Sequence, residues 1–192
     1  AEVLNTEVGT GKVAFLGGTP GNPLSAGWQN CEEAALSDSI ELVGRADTYW
    51  TREGTLEAVS GILTANPDVA GYSYEAADSF LGGIRAYEAA NLPLDITLTL
   101  RTDEVGLFCE WKKIANPNFK IFYSTGGNYQ SRIALTAAMM QLHGAELPSE
   151  VIIPVQMRQV DDSSCIEGMP SLASVSSLVP QDIFVQMYPD SE

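Results

Sequence analysis

The sequence predicts an α/β fold, a three-layer sandwich built on a mostly parallel, doubly wound sheet. Three observations carry this. Short apolar runs of strand length alternate with longer stretches whose apolar residues recur at helical spacing. Strictly alternating strand–helix units place successive strands parallel, with helices on both faces. The composition, 45% hydrophobic and 18% charged over 192 residues, suits one well-buried domain that needs no staples.

The elements follow in order. A first strand is expected at Lys12–Leu16, then a turn, Gly17-Gly18-Thr19-Pro20-Gly21-Asn22-Pro23, that opens a helix over Leu24–Leu36. Ile40–Val43 is the second strand, and Arg52–Ala65 a helix in which Leu56, Val59, Ile62 and Leu63 keep the period. Asn66-Pro67-Asp68 ends that helix, because a residue before proline avoids the α region. Val69–Ser73 is the third strand and Asp78–Ala90 the next helix, closed by Asn91-Leu92-Pro93. Ile96–Leu100, Glu104–Ile114, Phe119–Tyr123 and Tyr129–His143 continue the alternation, and Gly144 stands where a helix C′ glycine belongs. Val151–Val155 is the last strand expected. From Asp161 the period is lost among Ser163, Ser164, Ser171, Ser174, Ser176 and Ser177. One α/β unit is therefore placed at 1–160 and an extended tail at 161–192, ending in a short helical turn over Pro180–Met187.

Ten Lys and Arg against 25 Asp and Glu give a net charge of −15. That field repels phosphate backbones and anionic membrane surfaces, so nucleic-acid binding is excluded as a function class. The bland reading of the acidity is solubility. The apolar runs are too short to span a membrane. No charged segment followed by an apolar one opens the chain at Ala1, so any signal peptide is expected to have been removed. Cys31, Cys109 and Cys165 have no close spacing, and with a single His143 they build no zinc site, so no metal and no cofactor are expected. An exported chain can pair two of the three cysteines. Cys109 with Cys165 is the pairing that would tie the tail down, and three small buried apolar side chains are the alternative.

In such sheets ligands collect outside the carboxyl ends of the strands, where the strand-to-helix loops gather. Those loops hold Asn22, Tyr49, Trp50, Arg52, Tyr74, Glu75, Asp103, Thr125 and Asn128, with Trp28 just inside the next helix. A polar rim with aromatic plates suits a polyol, whose C–H faces stack on rings while its hydroxyls are hydrogen-bonded. Trp50, in the loop after the second strand, is the most informative of these residues. Its bland alternative is a core aromatic that caps the sheet. Gly9-Thr10-Gly11-Lys12 precedes a strand, whereas a phosphate loop must follow one and open a helix. The Gly17–Pro23 turn does follow a strand but lacks the GxGxxG spacing, and its glycines imply either a tight turn or close backbone approach to a ligand. Glu75 and Asp78 could form a hydrolytic carboxylate pair, although Asp78 reads more simply as a helix N-terminal residue. A single His at a helix end gives neither a Ser-His-Asp nor a Cys-His arrangement, so no catalytic residue is assigned.

Four stretches in combination carry a resemblance to a known family: Lys12-Val13-Ala14-Phe15-Leu16 into the glycine-rich loop, Leu63-Thr64-Ala65-Asn66-Pro67-Asp68-Val69, Leu81-Gly82-Gly83-Ile84-Arg85-Ala86, and Leu142-His143-Gly144-Ala145-Glu146. The chain resembles the type I periplasmic binding proteins of ABC sugar importers, in particular the ribose-binding group. That family has two similar lobes joined by three crossovers and closed on a sugar. The resemblance covers the second lobe only, so the first lobe is expected to be missing, and 128–144 would be a crossover helix belonging to it. On the resemblance, the helix-opening arginine of the group falls at Trp28, the stacking phenylalanine at Trp50 and the following arginine at Arg52. The asparagine after the third strand falls near Ala76, where Glu75 would take over its role. The sugar-binding aspartate falls at Asp103 with Arg101 beside it, and the hinge glutamine at Thr125. Trp50, Arg52 and Asp103 keep the chemistry, so a sugar or polar solute other than ribose is implied.

The reading that follows is a non-catalytic, exported solute-binding lobe, periplasmic or extracellular, that takes a small polar ligand such as a sugar and delivers it to an ABC transporter permease. Its ligand-binding residues are expected to be Asn22, Trp28, Trp50, Arg52, Glu75, Arg101, Asp103 and Thr125. An effector domain of a LacI-type regulator or a chemoreceptor sensor is the rival within the fold, and a small α/β glycoside hydrolase the rival outside it. An uncovered apolar face on helix Tyr129–His143, with Ile133, Leu135, Ala138, Met139 and Leu142, predicts self-association.

Overall fold

The computed structural model describes residues 1–124, 128–148 and 156–176. In chain order these form α1 (Glu2–Glu7), β1 (Gly11–Gly17), α2 (Pro23–Glu33), β2 (Ile40–Asp47), α3 (Arg52–Ala65), β3 (Val69–Tyr74), a 3₁₀ turn (Asp78–Phe80) running into α4 (Leu81–Ala90), β4 (Thr97–Leu100), α5 (Val105–Ile114), β5 (Lys120–Tyr123), α6 (Asn128–Leu142), β6 (Arg158–Gln159) and a second 3₁₀ turn (Asp162–Ser164). The strand order is β2-β1-β3-β4-β5-β6. The first five strands run parallel, and β6 lies antiparallel on β5. The expected α/β class, with a mostly parallel sheet between two helical layers, is what the chain adopts.

β1 shows why the run of apolar residues makes a central strand. Val13 and Phe15 join the cluster under α1 and α2 with Leu4, Trp28 and Ile40. Ala14 and Leu16 join the larger cluster under α3, α4 and α5, with Val59, Leu63, Tyr72, Ile84, Leu98, Phe108 and Ile121. All four β1 residues are fully buried, as expected of a parallel strand covered on both faces. Tyr72 anchors the larger cluster, with Phe80 at 5.7 Å and Tyr87 at 6.4 Å between ring centroids. α3 and α4 come close because residue 82 is glycine: a Cβ there would lie 1.8 Å from the Arg52 carbonyl oxygen.

Several boundaries differ from expectation for identifiable reasons. β2 runs on to Asp47, because the edge strand still pairs Gly44, Arg45 and Ala46 with β1 although these residues break the apolar run. α1 buries a single residue, Leu4, and β6 has two exposed residues, so neither leaves a periodic trace. α3 occupies Arg52–Ala65 as expected, with the Thr51 hydroxyl capping the Gly54 N–H. Gly144 takes φ 89°, and the bond from Ala145 N to the Met140 carbonyl closes α6. The strand expected at Val151–Val155 and the turn at Pro180–Met187 lie outside the described residues.

Cys109 of α5 and Cys165 form a disulfide that closes 56 residues of chain. By the loss of loop entropy in the unfolded chain, such a bridge is worth about 4 kcal/mol. Cys31 is an exposed free thiol, not a small buried apolar residue. On α6, Ile133 is buried, whereas Leu135, Met139 and Leu142 are 64%, 53% and 86% exposed.

Candidate functional site

The strand order reverses direction between β1 and β3, and ligands of open α/β sheets bind at that switch point, outside the carboxyl ends. The strand ends are level there: Gly17 pairs with Asp47, Leu16 with Tyr74, Tyr74 with Leu100 and Leu100 with Tyr123. Gly18 therefore follows β1, Thr48 to Thr51 follow β2, Glu75 follows β3 and Arg101 follows β4, all along one edge.

The loop after β2 presents its aromatics under constraint. Tyr49 and Trp50 both sit at φ 54°, a left-handed conformation that costs a bulky residue about 1–3 kcal/mol. The surroundings impose it. Thr48 N donates to the Gly17 and Gly18 carbonyls at 3.0 and 3.1 Å, and Tyr49 N to the Gly18 carbonyl at 2.9 Å. The Thr48 hydroxyl donates to the Gly17 carbonyl at 2.7 Å and accepts from Trp50 N at 3.2 Å. The Ser79 hydroxyl donates to the Trp50 carbonyl at 2.7 Å. Beneath the loop, the Tyr74 hydroxyl shares hydrogen bonds with Thr48 and Thr55, and burial pushes that phenol above its ordinary pKa.

The Trp50 indole lies against the backbone of Gly18, where a Cβ would come within 2.0 Å of the ring. The close approach allowed by the glycine turn is thus made by the protein's own tryptophan. The Glu75 side chain, 6% exposed, accepts from the Nε1 of Trp50 through one carboxylate oxygen and from the Nε1 of Trp28 through the other. Trp28 is buried on Phe15, 5.7 Å between centroids, and carries the Arg101 guanidinium 4.4 Å above its ring. Burial draws the Arg101 pKa below its ordinary value, with Glu32 and Glu75 acting in the opposite sense. Trp50 remains 39% exposed and Tyr49 58% exposed. The result is a fixed, half-open indole plate with a carboxylate and a guanidinium beside it.

The remaining expected residues have other employment. The Asn22 side chain caps α2, accepting from Leu24 N at 2.8 Å and Ser25 N at 3.3 Å. Arg52 forms a bidentate pair with Asp78, at 2.8 and 2.7 Å, and donates to the Ser171 hydroxyl at 3.0 Å. Asp103 is 1% exposed and accepts from the Ser174 hydroxyl and, at 2.9 Å, from Ser176 N. The structure therefore brings together Trp28, Trp50, Glu75 and Arg101, whereas Arg52 and Asp103 are engaged by Asp78 and by the tail. Thr125 lies outside the described residues. Sequence reasoning missed Gly18 as the seat of Trp50. It also missed Glu104, which accepts from the Ala77 and Asp78 amides at 3.0 and 3.3 Å and so ties the loop after β3 to the loop after β4. A cavity of about 970 Å³ opens on the α1 and α2 side of the sheet and shares Arg101 with this site, along with Ser73, Thr99, Gln130 and Gln159.

No family model matches the chain, and no curated protein is similar to it. Solved structures do match. An ABC transporter periplasmic solute-binding protein from Actinobacillus succinogenes with bound D-allose superposes with a TM-score of 0.65 at 26% identity, covering 84% of this chain and 57% of that one. A glucose-galactose binding protein from Geobacillus stearothermophilus gives 0.68 at 14% identity, covering 84% and 57%. An ABC transporter solute-binding protein from Mycobacterium smegmatis with bound glycerol gives 0.66 at 18% identity, covering 90% and 59%. The chain thus spans less than two thirds of the length of the structures it matches. Over the part that superposes, it has the fold of the type I periplasmic binding proteins.

Proposed function

We propose that this chain is a solute-binding lobe for a small, neutral, hydroxyl-rich molecule, with a sugar as the ligand class, and that it catalyses no reaction. The half-open face of Trp50, pinned at its edge by Glu75 and backed by Gly18, is the observation that carries the reading. A rigid indole plate stacks on the C–H face of a sugar ring at little entropic cost. Arg101, stacked over the Trp28 ring that shares Glu75 with Trp50, offers hydroxyls a charged donor, which is about twice as strong as a neutral one. Arg52 and Asp103 join the proposed ligand set where the tail permits, and Thr125 remains proposed from the resemblance alone. The neighbours in fold bind D-allose, glucose or galactose, and glycerol, which supports the same class.

Absence of turnover is supported by the neighbours in fold, which are binding proteins, and by the Asp78 carboxylate, which is held by Arg52 and Ser171. Export, delivery to an ABC permease and a first lobe that supplies the other wall of the cleft complete the proposal. The exposed Leu135, Met139 and Leu142 of α6 are the surface on which that lobe, or a second copy of this chain, would pack. Light scattering at rising concentration is expected to show association, and a strict monomer would count against that surface.

The test of the binding reading is a titration with D-allose, D-glucose, D-galactose and glycerol, followed by tryptophan fluorescence and calorimetry. Trp50→Ala is expected to weaken the best ligand at least tenfold, about 1.4 kcal/mol, without unfolding the chain. An affinity unchanged within about 0.5 kcal/mol would make Trp50 a packing residue and the site wrongly placed.

A further inference from the structure

Residues 161–176 cross the carboxyl edge of the sheet beside the tryptophan site. The carbonyls of Ser171 and Ala173 accept from Gly106 N and Val105 N, the first amides of α5, at 2.9 and 2.8 Å, and Val175 N donates to the Asp103 carbonyl at 3.1 Å. The Ser171 hydroxyl donates to Asp78 and accepts from Arg52. The Ser174 hydroxyl and Ser176 N take one oxygen each of Asp103. Residue 106 must be glycine for this, because a Cβ there would lie 1.9 Å from the Ser171 hydroxyl oxygen. Lys112 Nζ reaches the Asp162 carbonyl at 3.4 Å, and the Cys109–Cys165 disulfide fastens the segment to α5.

Two serine hydroxyls on carboxylates, and backbone groups on a helix start, are the contacts that a polyhydroxylated molecule would itself make at this edge. Asp103 gives the arrangement its tension. It is buried and forms no ion pair among the described residues, and a buried carboxylate so placed depends on its hydrogen-bond donors. Water or a polyol can replace those donors once the segment lifts.

We propose that residues 161–176 form an internal occupant of a hydroxyl-binding half-site on Asp78, Asp103 and the start of α5, latched by the Cys109–Cys165 disulfide. Opening the latch releases the strap. A dithiol supplies two electrons and two protons, its own sulfurs close into a disulfide, and Cys109 and Cys165 are left as two thiols. The freed carboxylates then extend the Trp50 site. This rests on the solute-binding reading above for its ligand, and on the structure alone for the latch.

The experiment uses the full chain, oxidised, reduced with dithiothreitol, and as Cys165→Ala. Amide hydrogen exchange is followed at Val105, Gly106, Val175 and Ser176, with Leu98 in the central sheet as internal control. The strap amides are expected to exchange at least tenfold faster in the reduced and Cys165→Ala forms, with Leu98 unchanged. D-glucose and glycerol titrations of the same samples are expected to show at least fivefold tighter binding after release, and a Ser171→Ala/Ser174→Ala double variant to show tighter binding with the disulfide intact. Unchanged exchange at the strap would overturn the latch, and faster exchange with unchanged sugar affinity would overturn the occupant role. A strap that fails to open is seen by exchange without any ligand, whereas a chain that is no sugar binder shows no binding in the oxidised, reduced and Cys165→Ala forms alike, so the two failures are told apart.

Discussion

A carboxylate offers acceptors on both oxygens and no donor, so one Glu75 can receive two indole N–H groups, each on its own oxygen. A glutamine there would turn an NH₂ towards one of them. Glu75→Gln is therefore expected to lower stability by about 1–3 kcal/mol, the cost of a buried donor left unmet, and to change the tryptophan emission of the ligand-free protein. Denaturant melts and emission spectra check this. Unchanged values would mean that packing alone holds the indoles. The place of Trp50 at the carboxyl edge was legible in the sequence, because it falls in a loop between a strand and a helix. That Glu75 joins it to Trp28 was not, since Glu75 lies 25 residues from Trp50 and 47 from Trp28, and no local period connects them. Gly18 was read as an approach for a ligand. Only the fold reveals that the approaching group is Trp50.

At the level of elements, what the sequence disclosed follows from how each element is stabilised. α3 appears at its expected bounds because Thr51 caps it, Val59 and Leu63 give it a buried face, and Asn66-Pro67 ends it. α1, β6 and the strap are held by contacts distant in sequence, so neither spacing nor composition marks them. The α3–α4 contact was half visible: Leu81-Gly82-Gly83 reads as helix, and the reason for Gly82 is the Arg52 carbonyl pressed against it. Gly82→Ala raises helix propensity yet places a Cβ 1.8 Å from that oxygen, so packing and propensity oppose one another. Propensity favours alanine by about 1 kcal/mol, whereas forcing apart two packed helices costs about 1–3 kcal/mol or more. The variant is expected to be destabilised by at least 1 kcal/mol net in urea melts. A neutral or stabilised Gly82→Ala would mean that α3 and α4 separate freely, and Arg52, at the start of α3, would then be poorly fixed on Asp78.

For the molecule as a whole, the net charge of −15 means that acid acts in two directions. Protonating exposed carboxylates relieves self-repulsion, which stabilises the compact state. Protonating Asp78 removes the charge that ties Arg52 of α3 and Ser171 of the strap to the turn before α4, and makes a donor of one of its two oxygens, which destabilises that state. The sign is fixed by the direction of the shift. Burial raises the Asp78 carboxyl, but the bonds from Arg52 and Ser171 together with the Arg52 charge outweigh it, so its folded pKa lies below the unfolded value of about 4. A group lowered in this way contributes stability that is fully present above the unfolded pKa and lost as pH falls through the folded one. Asp78→Asn, which keeps size and loses charge, is therefore expected to cost about 2 kcal/mol at pH 7, the scale of hydrogen bonds to a charged group, and progressively less as pH falls below about 4. Arg52 is one third exposed, so solvent screening sets this as an upper figure. Urea melts of both proteins from pH 7 down to pH 2 measure the gap directly. If the gap stays constant across that range, the Asp78 charge is not what joins α3, the turn and the strap, and the acid sensitivity of this protein must arise from its other carboxylates.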